Sequence, residues 1–162
     1  MSIEAATLAI TKPIEAEGAQ ITAHAVERIL VETKCYPYFL QEWGQRSWQA
    51  ADKSPIELED VHRANTTAVA ALDESFFRVR FDRLTPQEKR YLRAMSELGP
   101  GPHRSGAIAE GLKREVSSLG PVRSSLIVKG MIWSPSHGDT AFTVPLFDEF
   151  MRRIMPGQDW RV

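Results

Sequence analysis

The run Gly99-Pro100-Gly101-Pro102 constrains this chain more than any other segment. Proline has a fixed φ and no backbone N–H, and it drives the preceding residue away from the α conformation, so no helix passes through this point. Upstream, Thr85-Pro86-Gln87-Glu88 has the form of a capping box with Pro at the first helical position. The helix it opens should bury Tyr91, Leu92, Met95 and Leu98, which recur at helical spacing. Downstream, Ser105 can cap a short helix carrying Ile108, Ala109 and Leu112. After Lys113 to Ser118 a third helix is predicted to reach Lys129, with Pro121 in its first turn and Gly130 at its end. Two apolar runs, Met131-Ile132-Trp133 and Ala141-Phe142-Thr143-Val144, flank a loop holding Pro135, Gly138 and Asp139, the pattern of a β-hairpin. Pro145 closes the second strand, Leu146 to Ile154 reads as a last helix, and Pro156-Gly157 begins a tail. Helix, short helix, turn, helix and hairpin, in that order, is the plan of a winged helix-turn-helix. In that plan the third helix stands exposed to enter a major groove about 12 Å wide, and the hairpin reaches beside it.

The first half carries helical periodicity. Ser2 to Ala16 favours helix, although Pro13 predicts a kink or break and Gly18 an end. Thr22 can cap a helix to about Thr33 that buries Val26, Ile29 and Leu30. Pro37 suits the first turn of the next, with Phe39, Leu40 and Trp43 on one side. After a polar turn from Asp52 to Pro55, Leu58, Val61, Ala68, Leu72 and Phe76 form a long amphipathic stripe. Phe76 to Phe81 then alternates apolar and basic residues, as a short strand or a linker would, and the boundary between two units is placed here. The expected fold is mainly α: a helical bundle over residues 1–80, then a winged helix-turn-helix with a small hairpin wing and a C-terminal helix over 81–162.

Charge divides along the same line. Residues 1–84 hold 9 Lys and Arg against 13 Asp and Glu, and residues 85–162 hold 11 against 8, giving −4 and +3. The basic excess permits nucleic-acid binding without requiring it. No stretch approaches the roughly 18 apolar residues that span a bilayer, so no membrane role is expected. Cys35 is alone, which excludes an internal disulfide and suggests a reducing, cytoplasmic setting, with the thiol packed in a core.

Several segments resemble a known family. Cys35-Tyr36-Pro37-Tyr38-Phe39-Leu40-Gln41-Glu42-Trp43 is similar to the Gly-Tyr-Pro-Tyr-Phe-Leu-Gln stretch in the lid of a bacterial and archaeal AAA-type ATPase family, itself distantly related to archaeal origin-recognition ATPases. Phe76 to Pro86 resembles that family's junction, and Arg104 to Ala109 and Ala141 to Phe150 resemble its winged helix. The resemblance implies that residues 1–80 are a partial helical lid and that the chain is a C-terminal piece of a larger ATPase. ATP and Mg would belong to that full-length parent, and the missing N-terminal ATPase core would be a natural partner. The chain has no Gly-x-x-x-x-Gly-Lys-Ser/Thr loop and no acidic strand before the lid, so it is expected not to be an enzyme and to bind no cofactor. Two residues depart from the family. Cys35 stands where the family has Gly, and Tyr38 stands where related lids place an Arg that reaches the γ-phosphate. The nearest Arg on that helix is Arg46.

Candidate nucleic-acid contacts lie in the second half. On the third helix Val122, Leu126 and Ile127 should be buried, leaving Ser118, Arg123 and Ser124 outward, with Arg104, Arg114 and Lys129 around them and Ser136 and His137 at the wing tip. Arg can grip guanine O6 and N7 or a phosphate, and Ser suits phosphate oxygens. The competing reading is a protein-interaction or autoinhibitory module, binding a partner or a second copy, which exposure of Trp133 and Phe142 would favour. Other chemistry finds no pattern. His24, His62, His103 and His137 lack ligand spacing, and Ser117-Ser118 and Ser124-Ser125 have no His beside them. The pairs Glu59-Asp60, Asp73-Glu74 and Asp148-Glu149 are adjacent and diverge on a helix.

Overall fold

The computed structural model describes residues 1–161 and divides into two compact units, Met1–Phe76 and Phe77–Val162, parting at the start of the Phe76 to Phe81 segment. The first unit holds four helices, α1 (Ile3–Ala16), α2 (Ala23–Thr33), α3 (Pro37–Ala50) and α4 (Leu58–Leu72). Caps act locally: Ser2 and Thr22 accept from the N–H groups of Ala5 and Ala25, and Pro37 opens α3. Glu57 and Asp60 form a capping box at α4. Of the kink or break expected at Pro13, the break does not occur: α1 runs from Ile3 to Ala16 with the proline inside it. Ile10 and Ile14, on either side of it, are both buried, so packing holds the helical phase through the proline. Ala25, Ile29, Phe39, Leu40, Trp43, Val61, Ala64 and Leu72 fill the core, and Trp43 Nε1 donates to Asn65 Oδ1 at 3.2 Å across α3 and α4. Leu58, placed on the apolar stripe by its spacing, lies exposed in the first turn of α4. Phe76 closes the aromatic cluster of Tyr36, Tyr38 and Phe39.

The segment read as a strand or linker is helical: a π turn, Asp73–Phe77, runs into α5 (Arg78–Phe81). Phe77 and Phe81 are four apart and fit both a strand and a helix. Val79 distinguishes them, and it is exposed.

In the second unit, α6 (Pro86–Glu97) runs through the core. Around it lie β1 (His103–Arg104), α7 (Ser105–Gly111), a 3-10 turn (Val116–Leu119), α8 (Gly120–Val128), β2 (Ile132–Trp133), β3 (Asp139–Phe142), α9 (Phe147–Ile154) and a closing 3-10 turn (Asp159–Arg161). Tyr91, Leu92 and Met95 of α6 are buried with Ile108, Leu126, Ile132, Phe147, Phe150 and Met151. Phe77 stacks on Phe150 with ring centres 5.2 Å apart. Leu98 and Ile127, expected inside, are exposed at or near helix C-termini, beyond the buried faces.

The sheet has three strands in the order β1-β3-β2, all antiparallel. The hairpin strand begins at Asp139 rather than Ala141, because β1, unforeseen from the sequence, pairs with its first two residues as His103↔Thr140 and Arg104↔Asp139. Ser105 does not cap α7. Arg104 occupies that position, and the Ser105 hydroxyl donates to Gly138 O at 3.0 Å. The expected tail folds back: Trp160 is buried, with the Arg93 guanidinium 4.9 Å from its ring centre.

Candidate nucleic-acid interface

The wing is fastened to the helices by two arginines. Arg104, at the end of β1, faces Asp139 across the strand pair. Its Nε lies 3.1 Å from Asp139 Oδ1, and its Nη1 donates to His137 O at 3.3 Å. Arg123, on α8, donates from Nε to Thr140 Oγ1 and from Nη2 to Ser134 Oγ and Asp139 O, each at 3.0 Å. Ser105 adds a third tie, its N–H and hydroxyl both directed at Gly138 O. Within the loop Ser136 Oγ lies 2.5 Å from Asp139 Oδ2. Gly138 makes the turn at φ +81°, a conformation that disfavours any side chain, and an added Cβ would sit 3.4 Å from Arg104 Nη1. The loop Ser134 to Gly138 is therefore held in place before any ligand arrives.

A guanidinium has five N–H donors. Arg123 spends three on the wing, which leaves the two on Nη1. Arg104 spends two, and its side chain is 74% exposed. Between the wing and the start of α8 lies a cleft of about 280 Å³, lined by Tyr91, Val116 and Leu119 on an apolar side and by Arg123, Ser105 and His137 on a polar one. Tyr91 is buried and bonded to Thr140. Burial pushes its phenol pKa up, more than the Thr140 bond and the Arg123 charge draw it down, so it stays neutral.

The residues singled out from the sequence separate into groups. Arg104, Arg123, Ser136 and His137 converge on the wing loop, with Arg123 as a half-buried staple rather than the free, outward group expected. Arg114 and Ser118 lie on a shallow concavity at the turn between α7 and α8, beside Lys113 and the acidic Glu110 and Glu115. Arg114 is exposed, while the Ser118 hydroxyl donates to Glu115 O. Lys129 is committed at the other end of α8, donating to Glu88 Oε2 at 2.7 Å and Arg83 O at 3.0 Å. Ser124 is exposed on α8. Asp139, Thr140 and Ser134, which set the arginines, were missed. Only the strand register brings them there, and no local signal marks it.

The outer surface also carries apolar groups: Val128 is 87% and Trp133 51% exposed, while Phe142 is half-buried. In the first unit, exposed Tyr38 lies with its ring centre 4.8 Å from that of Phe76, and Arg46 is paired with Glu42 at 2.8 Å. Counted by unit, residues 77–162 hold 14 Lys and Arg against 9 Asp and Glu, a net +5, and residues 1–76 hold 6 against 12, a net −6. Among the described residues no three His, Cys, Asp or Glu gather where they could hold a metal ion, and no helix is long and apolar enough to cross a membrane.

A family described as a domain of unknown function, DUF8462, matches residues 74–151, just under half of the chain. No protein of curated function matches the sequence. Among solved structures, the Thermotoga maritima RuvB Holliday junction branch migration motor is similar over 86% of this chain and 46% of its own, at 16% identity and a TM-score of 0.41. A point mutant of it matches over the same shares at 15% identity and the same TM-score. The likeness is too low to establish a common fold, and the chain spans less than half the length of those solved chains.

Proposed function

We propose that residues 77–162 bind the DNA backbone through the wing and the turn between α7 and α8, as a module of an AAA-type ATPase whose nucleotide-hydrolysing site lies outside this chain. The observation that carries the reading is the wing fixed from three sides with the largely exposed Arg104 fork at its edge, several of its donors unspent. Charge-assisted bonds from a pre-positioned guanidinium to phosphate oxygens are strong and cost little ordering. Lys113 and Arg114 are exposed at the turn, interleaved with Glu110 and Glu115, and the net +5 of the unit draws a polyanion. With Arg123 committed to the wing and Lys129 to Glu88, α8 offers Ser124 and apolar groups rather than a cationic reading head. The contact is accordingly to phosphates and independent of sequence.

The ATPase setting rests on the resemblance of the lid and junction segments. The sequence holds no Gly-x-x-x-x-Gly-Lys-Ser/Thr loop, and among the described residues no cluster of three His, Cys, Asp or Glu could hold a metal ion. Tyr38 in the place of a sensing Arg, with Arg46 held by Glu42, leaves this lid without a free cation on α3 for a γ-phosphate.

The test is fluorescence anisotropy of a labelled duplex at roughly 50 and 200 mM salt. Affinity should fall with salt, and Arg104→Ala and Arg114→Ala should each reduce the slope of log affinity on log salt by about one. Absence of salt-sensitive binding would overturn the reading. The exposed Val128 and Trp133 favour the alternative, a protein-docking module, in that event.

A further inference from the structure

We infer that the cleft beside the wing receives one unpaired nucleotide, so that this unit prefers DNA with an unpaired base or a single-stranded end to an unbroken duplex. The inference rests on the DNA-binding reading and names the form of DNA.

The cleft's size sets the first limit. At about 280 Å³ it lies at the small end of ligand pockets, room for a single planar group and not for a duplex. Its lining sets the second. Phosphate oxygens gain nothing from an apolar wall, yet Val116, 49% exposed, makes one, backed by the buried Leu119 and Tyr91. Every base has a π face that gains from such a wall. Arg123 supplies the polar edge. Its plane is fixed by Thr140, Ser134 and Asp139, and its two unspent Nη1 donors form part of a guanidinium that matches the acceptor edge of a base. His137 lines the cleft, and Arg104 of β1, whose Nη1 donates to His137 O, stands beside it where the phosphate of the same nucleotide would follow. Gly120 is part of the lining, and a Cβ built on it meets no atom within 4 Å, so the position has room for a side chain. A base within a duplex is stacked and cannot enter, whereas an unpaired one enters without the unstacking cost.

The experiment compares a blunt duplex with the same duplex carrying a short single-stranded overhang that contains 2-aminopurine, by anisotropy and by 2-aminopurine fluorescence. The overhang should bind roughly tenfold more tightly, with a change in 2-aminopurine emission on binding. Gly120→Leu adds a side chain at the cleft's lining, at the cost of a Cβ in the α region directly before Pro121 (φ −52°), and should remove the preference while the duplex affinity, carried by Arg104 and Arg114, stays. Val116→Trp, on the exposed wall, is the second variant and should act likewise, with circular dichroism melts confirming that both fold. Equal salt-sensitive affinity for the two probes, or a preference that survives both variants, keeps the DNA-binding reading and overturns the cleft. Binding to neither probe overturns both.

Discussion

Glu88 permits a quantitative test of what holds the second unit together. It is only 3% exposed, and its carboxylate accepts from Thr85 N–H, Ser125 Oγ and Lys129 Nζ, each at 2.7 Å, tying the start of α6 to α8. Burial alone would raise its pKa and is the largest single influence, but the bonds from Lys129, Thr85 and Ser125 together outweigh it and hold the carboxyl at about 2, against an ordinary 4.5. At about 1.36 kcal/mol per unit this depression corresponds to roughly 3 kcal/mol of stability in the ionised network. Because the folded pKa is the lower one, that stability is complete above pH 4.5, declines as the pH falls below it and is lost near pH 2. Glu88→Gln keeps one acceptor oxygen and removes the charge. It should cost roughly 2–3 kcal/mol at neutral pH, and the cost should shrink towards zero as the pH approaches 2. Urea unfolding followed by NMR signals of residues 86–97 reads this unit alone. A difference between the two proteins that stays constant across the acid range, or a variant as stable as the parent at neutral pH, would refute the reasoning.

Two further outcomes follow from the packing. Cys35 has φ +54°, in the left-handed region, and its thiol is only half-buried, so Cys35→Gly should stabilise the first unit by about 1 kcal/mol, measured by urea unfolding. Arg93 is buried, pairs with Glu97, donates to Met155 O at 2.7 Å and covers Trp160, so Arg93→Ala should cost roughly 3 kcal/mol and free the C-terminal turn, seen as faster amide exchange after residue 155.

The sequence by itself determined the features whose physics acts within a turn or two. The Thr85–Glu88 capping box, the Thr22 cap, Pro37 at the start of α3 and Gly130 at the end of α8 all form where they were read, because each interaction closes between residues four or fewer apart. The resemblance read in the sequence sets a Gly against Cys35, and the φ of +54° found there is the conformation that glycine favours. Tertiary structure decided the rest. Packing of Ile10 and Ile14 carries α1 through Pro13, and core burial of Phe77 and Phe81 makes a helix of an alternating segment. The site shows the difference most sharply. A basic side chain on a predicted recognition helix looks the same in sequence whether it meets DNA or a neighbouring strand. The pairing of β1 with β3 sets Arg104 opposite Asp139, bonds from α8 to β3 claim Arg123, and the approach of α6 claims Lys129 for Glu88. These partners lie far apart along the chain, and only folding brings them to hydrogen-bonding distance, which fixes which cations remain for a ligand.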